Sequence, residues 1–295
     1  MAFIALGIIW GTPYFLIKLA VTEVHPFIVA WGRLTLAALI LLPIAWRRGA
    51  LAPLKGHAGA LLAFAFAEFV IPFAAISIGE QWIASSIAGI LIATVPMWVV
   101  LLSRSFGVHE PLGARRASGL ALGFIGVVTL LGFGAIVGIK GWCGVACMLV
   151  SSLGYAVGPL VIQRHMKELD AIGPLSACLG IASVVLLVPA ALVVPTHMPS
   201  ATALSSIAAL GILCTAIAMM LMFYLVNHAG ASRASLITYL NPAVASLLGV
   251  WLLNERLGAS GLLAFALILI GSWLATRKAA APPPASQAER PPPAR

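Results

Sequence analysis

Charge is what this chain has least of. Asp, Glu, Lys and Arg together make up 8% of its 295 residues, while 62% are hydrophobic. A soluble domain carries about 25% charged residues. A chain this poor in charge cannot cover a globule with polar surface, so its exterior must lie in lipid. Acids are scarcer than bases, 8 against 17, which gives a formal net charge of +9. There are four cysteines, Cys143, Cys147, Cys178 and Cys214, all inside apolar segments. Cys143 and Cys147 share a helix face. No histidine or third cysteine joins them at metal-ligand spacing, so no zinc site is expected. All four are read as small packing residues.

Motifs for chemistry are missing as well. No G-x-x-x-x-G-K-[ST] loop is present, which excludes ATP binding by that route. H-E-x-x-H, G-x-S-x-G and paired intramembrane acids are absent, which argues against an enzyme. No filter sequence or ring of charge points to a channel. No cofactor and no metal are expected, and the basic balance has another explanation than nucleic acid.

Long apolar runs are what the chain does have. A bilayer core takes about 20 apolar residues per helix. Weak polar interruptions divide the chain into ten spans: 3–21, 27–46, 60–79, 82–103, 117–136, 141–162, 172–194, 204–226, 232–252 and 258–276. The continuous run Leu120–Leu131 speaks for helices rather than the period-two alternation of an outer-membrane barrel. The expected fold is therefore an all-α membrane protein of ten transmembrane helices. No cleavable signal is expected, because the start lacks a positive n-region and a small-residue cleavage site. The segment 279–295, rich in proline and alanine, reads as a disordered tail, partly polyproline-II.

The second half of the chain restates the first. Ala84-Ser85-Ser86, Thr94-Val95-Pro96, Glu110, Gly113 and Gly126 are answered by Gly230-Ala231-Ser232, Leu240-Asn241-Pro242, Glu255, Gly258 and Gly271. The prolines lie 146 positions apart, the glutamates and their following glycines 145. Gly7-xxx-Gly11 and Gly154-xxx-Gly158 repeat at 147. The expected division is a first five-helix repeat over 1–137, a second over 138–278, and the tail. Repeats of this kind build many transporter folds.

Lysine and arginine set the orientation. With both termini cytoplasmic, inner loops hold Arg47, Arg48, Lys55, Arg104, Arg115, Arg116, Arg164, Lys167 and Arg233, and Arg277 and Lys278 follow the last span. The outer side keeps only Lys18, Lys140 and Arg256. Five spans per repeat is an odd number, so the second copy enters from the opposite face. The repeat is inverted, and exchanging the roles of its halves gives inward-open and outward-open states.

Trp10-Gly11-Thr12-Pro13-Tyr14, Arg33, Ile92-Ala93-Thr94-Val95-Pro96 with Glu110, and Leu240-Asn241-Pro242 with Asn254-Glu255-Arg256-Leu257 resemble the EamA family of the drug/metabolite transporter superfamily. The resemblance runs from about the first residue to Lys278. Order, spacing and duplication carry it, not any single motif. It implies a ten-helix carrier of a bacterial-type inner membrane that exports amino acids, related metabolites or toxic compounds. The short lead-in before the first span departs from the family.

Glu68 is the first residue to weigh. It lies about eight residues, roughly 12 Å, into its span, where a carboxylate costs at least about 2.5 kcal/mol to insert. It is either a proton-coupling site or contact for a substrate amine, or else a structural pair or vestibule group. Arg33, at comparable depth, either pairs with Glu68, shares a zwitterionic solute with it, or serves helix-end carbonyls and snorkels. Pro96 and Pro242 are expected to kink spans 4 and 9 beside a central path. Asn241 and Tyr239 offer hydrogen bonds at the second kink. Trp10, Tyr14, Trp98, Tyr155, Tyr224 and Tyr239 are candidate cavity aromatics. Trp46, Trp142, Trp251 and Trp273 read as interfacial anchors. Glu80 reads as a solvated loop acid or solute-access contact, His228 as interfacial, and Glu110 and Glu255 as groups that fix helix ends. The glycine pairs are expected to pack spans within a monomer, though a dimer stays open. The function expected is secondary transport of a small organic solute, with protons the favoured coupling ion; an uncoupled facilitator or an importer is the alternative.

Overall fold

The computed structural model describes residues 2–107, 113–132, 136, 138–229 and 237–276. Helices dominate because lipid leaves backbone amides no partner but their own helix. We label them α1 (Ala2–Ala20), α2 (Pro26–Arg47), α3 (Ala58–Gly79), α4 (Ser85–Phe106), α5 (Ala114–Gly132), α6 (Gly138–His165), α7 (Ile172–Ala191), α8 (Ala201–Met222), α9 (Ile237–Leu252) and α10 (Ala259–Thr276). Nine are long and apolar enough to cross a membrane, and α9 is a shorter apolar helix. Glu110, Ser232, Arg233 and the 279–295 tail lie outside the described residues, as does the side chain of Tyr239.

Packing follows the sequence echo. α5 lies along α10 and α2 along α7, so each pair joins equivalent helices of the two halves. α3 packs on α6 as α8 packs on α1, and α4 packs on α6 as α9 packs on α1. Exchanging the halves leaves this set of neighbours unchanged. The glycines let backbones meet. A Cβ on Gly119 would stand 2.5 Å from the Ala275 amide nitrogen, and one on Gly11 would stand 2.9 Å from the Asn241 carbonyl. The outward faces carry Leu39, Phe124, Leu187 and Leu192, all exposed, as a lipid-facing surface requires.

Four of the helices that reach the centre are irregular there. α1 is interrupted at Thr12, just before Pro13. α4 stops at Ile92 and restarts at Val95, with Pro96 in its new first turn. The carbonyls freed at that break are used: Ser272 on α10 donates to Ala93 at 3.0 Å and Thr94 to Leu91 at 2.6 Å. α9 runs through Pro242 without a comparable break, so the two prolines do not kink their helices alike. α3 and α8 each contain a π-helical segment, Phe66–Val70 and Ile212–Ile217. Pro72 has no N–H to give the carbonyl four residues back, which is that of Glu68. In α8 the Thr215 hydroxyl bonds the Leu210 carbonyl at 2.8 Å.

Candidate functional site

The breaks enclose a cavity of about 290 Å³ at the middle of the bundle. α1 lines it with Trp10, Pro13, Tyr14 and Ile17, the residues on either side of its interruption. α2 contributes Arg33, and α3 contributes Glu68 and Phe69 from the π segment and Phe73 and Ile76 beyond it. The far wall is Ile92 and Val95 of α4, Tyr155 and Pro159 of α6, Cys214 and Met219 of α8, and Asn241 of α9. Six of the nine cavity candidates singled out from sequence meet here: Trp10, Tyr14, Arg33, Glu68, Tyr155 and Asn241. Trp98 does not. Its indole donates to Ser152 at 3.0 Å between α4 and α6. Tyr224 is 53% exposed and stacks on His228 with ring centroids 4.1 Å apart, so it leaves the candidate wall. Pro96 and Pro242 stay behind the wall, while their neighbours Val95 and Asn241 face in.

Two charges face this cavity, and they are held apart. Among the described residues the recorded ion pair is the exposed Lys167–Glu168, at 3.6 Å. Arg33 and Glu68 therefore do not pair. Arg33 is buried, its Nε donates to Thr215 Oγ1 at 2.9 Å, and its guanidinium lies 4.2 Å above the centre of the Phe73 ring. A desolvated cation–π contact of this sort contributes about 2 kcal/mol. Thr215 is saturated by these two bonds, one accepted and one donated. It fixes the guanidinium, whose other N–H groups make no hydrogen bond among the described residues. Glu68 Oε2 and Asn241 Oδ1 are buried acceptors without a partner among the described residues. Room for Glu68 comes from α6, where a Cβ on Gly158 would strike its carboxylate. The result is one fixed cation, two open acceptors and aromatic walls, which suits a solute with an acidic group, N–H donors and an apolar body.

Sequence reading missed Thr215, Phe69, Phe73 and Met219. Comparing the halves could have found the first, since Thr215 follows Cys214, the counterpart of Glu68. It also misjudged Glu80, which is fully buried. Cys143 is exposed, unlike the buried Cys178 and Cys214, and none of the four cysteines is in a disulfide. Glu255 does fix a helix end, that of α4 from the other half. Ser85 N and Ser86 N donate to its two carboxylate oxygens at 2.7 and 2.9 Å.

Ten helices around a central cavity are the architecture of a multi-pass membrane transporter. The chain belongs to the EamA-like transporter family, which matches residues 1–132 and 142–277. It is 29% identical to the uncharacterized inner membrane transporter YedA of Escherichia coli, over 91% of this chain and 89% of that protein. It is 24% identical to the uncharacterized transporter YoaV of Bacillus subtilis, over 94% of this chain and 96% of that one. A protein of known crystal structure, 19% identical, superposes with a TM-score of 0.66 over 93% of this chain and 95% of its own. At that identity the likeness speaks for the fold alone.

Proposed function

We propose that this protein is a secondary carrier, not an enzyme, and that it moves a small zwitterionic or amphipathic organic solute outward across a bacterial-type cytoplasmic membrane by alternating access. The observation that carries the reading is the separation of Arg33 from Glu68 across one aromatic cavity. A structural ion pair would have closed on itself. Charges held apart and partly unpartnered await a ligand that supplies the missing groups. Arg33 takes the acidic end of the solute. Glu68 and Asn241 take its ammonium, and Glu68 is the group that exchanges a proton between turnovers, because arginine stays charged. The inverted halves, 1–137 and 138–278, supply the two access states, and the bias of basic residues supports cytoplasmic termini.

Challenge of a sensitive host with toxic amino-acid analogues, purines and amphipathic drugs gives the solute and the direction. Resistance to a zwitterionic analogue, lost in Arg33→Ala, is the expected result. Sensitisation would mean import and would overturn the direction. Counterflow of that solute in proteoliposomes then tests the coupling. Glu68→Gln should keep exchange but lose drive by a pH gradient; gradient-driven transport at the wild-type rate would remove the proton from the reading.

A further inference from the structure

A second pair of acids lies away from the cavity, at the end of the bundle where α1, α3 and α9 finish and α4 begins. Glu80, in the turn after α3, is fully buried, and its Oε1 has no partner among the described residues. The nearby ammonium of Lys18 is spent elsewhere, on the backbone carbonyls of Glu80 at 2.6 Å and Ile83 at 2.9 Å. Glu255 arrives from the α9–α10 turn, swung back by Asn254 in the left-handed region at φ 54. A Cβ on Gly249 would collide with its Oε2. Glu255 accepts from Ser85 N, Ser86 N and Ser86 Oγ at the N-terminus of α4.

Ser85 joins the two acids. Its hydroxyl oxygen lies 3.1 Å from the Tyr14 carbonyl and 3.3 Å from Glu80 Oε2. A hydroxyl has one hydrogen, and a carbonyl can only accept. The Ser85 hydrogen can serve only one of these two acceptors at a time. Both contacts are hydrogen bonds together only if Glu80 carries a proton and donates it to Ser85 Oγ.

We propose that Glu80, Ser85 and Glu255 form a second proton-binding site, which holds one proton on Glu80 while this end of the bundle is closed. Loss of that proton to water leaves two carboxylates on one serine, one of them buried, and their repulsion drives the α3–α4 turn away from the α9–α10 turn. The charged and titratable groups facing Glu80 are Lys18 and Tyr14 of α1, Glu255 and, at longer range, Arg33 of α2. Burial dominates and pushes the Glu80 carboxyl well above the usual carboxylate range; Lys18 draws it down and Glu255 raises it further. Position 226, its counterpart in the second half, is valine, so the site belongs to one end only. The site does not depend on what the cavity carries.

Infrared pH titration of the purified full-length protein in lipid tests the proton without any solute. The Glu68→Gln variant removes the cavity carboxyl from the spectrum. In that background a neutral-carboxyl C=O band should persist at neutral pH and disappear in Glu80→Gln. It should titrate at lower pH when Glu255→Gln removes the like charge. Identical spectra with and without Glu80 would overturn the site. Should Glu80→Gln fail to fold, Ser85→Ala keeps both acids and must shift the band, and an unmoved band counts equally against it. Spin labels at the exposed Gln81 and Arg256, with Cys143 and Cys147 replaced by alanine, read the closure. Their separation should lengthen as pH rises and stay short in Glu80→Gln. The same pH response in both proteins would sink the latch.

Discussion

Gly158 of α6 lacks a side chain at the place the Glu68 carboxylate occupies. The acid's position is thus set by an atom that is missing from a neighbouring helix, and the two halves of the chain meet at that point. Gly158→Ala should displace Glu68 without unfolding the bundle, because Glu68 is the far end of a flexible side chain. Solute transport should fall by about tenfold or more, as misplacement of about 1 Å does elsewhere. Counterflow in proteoliposomes, beside an unchanged size-exclusion profile, checks it. Transport at the wild-type rate would detach Glu68 from the cavity chemistry.

Thr215 holds Arg33 through one hydrogen bond to a charged group, a kind that contributes about 1.5–3 kcal/mol. Thr215→Val keeps the shape and removes the bond. Apparent affinity for the best solute of the resistance screen should weaken by about ten- to hundredfold on that figure, with maximal rate less affected. Thr215→Ser should restore most of the affinity. A serine variant as weak as the valine would show that packing, not the hydroxyl, matters.

The α5–α10 seam should tolerate no side chain. Gly119 and Gly271 face backbone atoms of the opposite helix, and overpacking of this type costs typically about 1–3 kcal/mol. Gly119→Val and Gly271→Val should each lower the thermal midpoint in detergent. Gly113→Ala, where a Cβ meets nothing within 4 Å, should leave it in place.

Glu23, in the α1–α2 turn, accepts from the Ser200 hydroxyl at 2.7 Å and from its amide at 2.9 Å. Ser200 is the N-cap of α8, accepting from Ala203 N at 3.2 Å. These hydrogen bonds hold the Glu23 carboxyl below the usual carboxylate range. A depressed folded value means that its stabilisation is present at neutral pH and is lost as pH falls through that value. Glu23→Gln should melt below wild type at pH 7, and the gap should close on acidification. A gap that widened in acid would contradict the assignment.

The spans were legible because length and hydropathy suffice to mark a membrane helix, and ten apolar runs leave little else to build. The cavity was legible in part, since Glu68 and Arg33 are conspicuous at mid-span depth. Their separation was not. It depends on the π segment at Phe66–Val70, which shifts the facing of everything after it and has no period of its own in the sequence. Glu80 misled for a related reason. Gly79-Glu80-Gln81 has the composition of an exposed turn, yet Lys18 from α1, Ser85 and, from the other half, Glu255 lie about it. Trp98 likewise had the depth of a wall residue, but Ser152 draws its indole behind the wall.

The paired π segments also fix how the carrier can fail. Each stores one spare residue in a wall helix, and a helix advances about 100° per residue. A frame-preserving deletion of a single amino acid such as Ala67 would let α3 wind straight. Everything from there to Gly79 would keep its facing, Phe73 and Ile76 included, while the Glu68 carboxylate would lose the widened turn that presents it. Loss of one codon in either stretch is therefore expected to act as a loss of recognition rather than a loss of insertion.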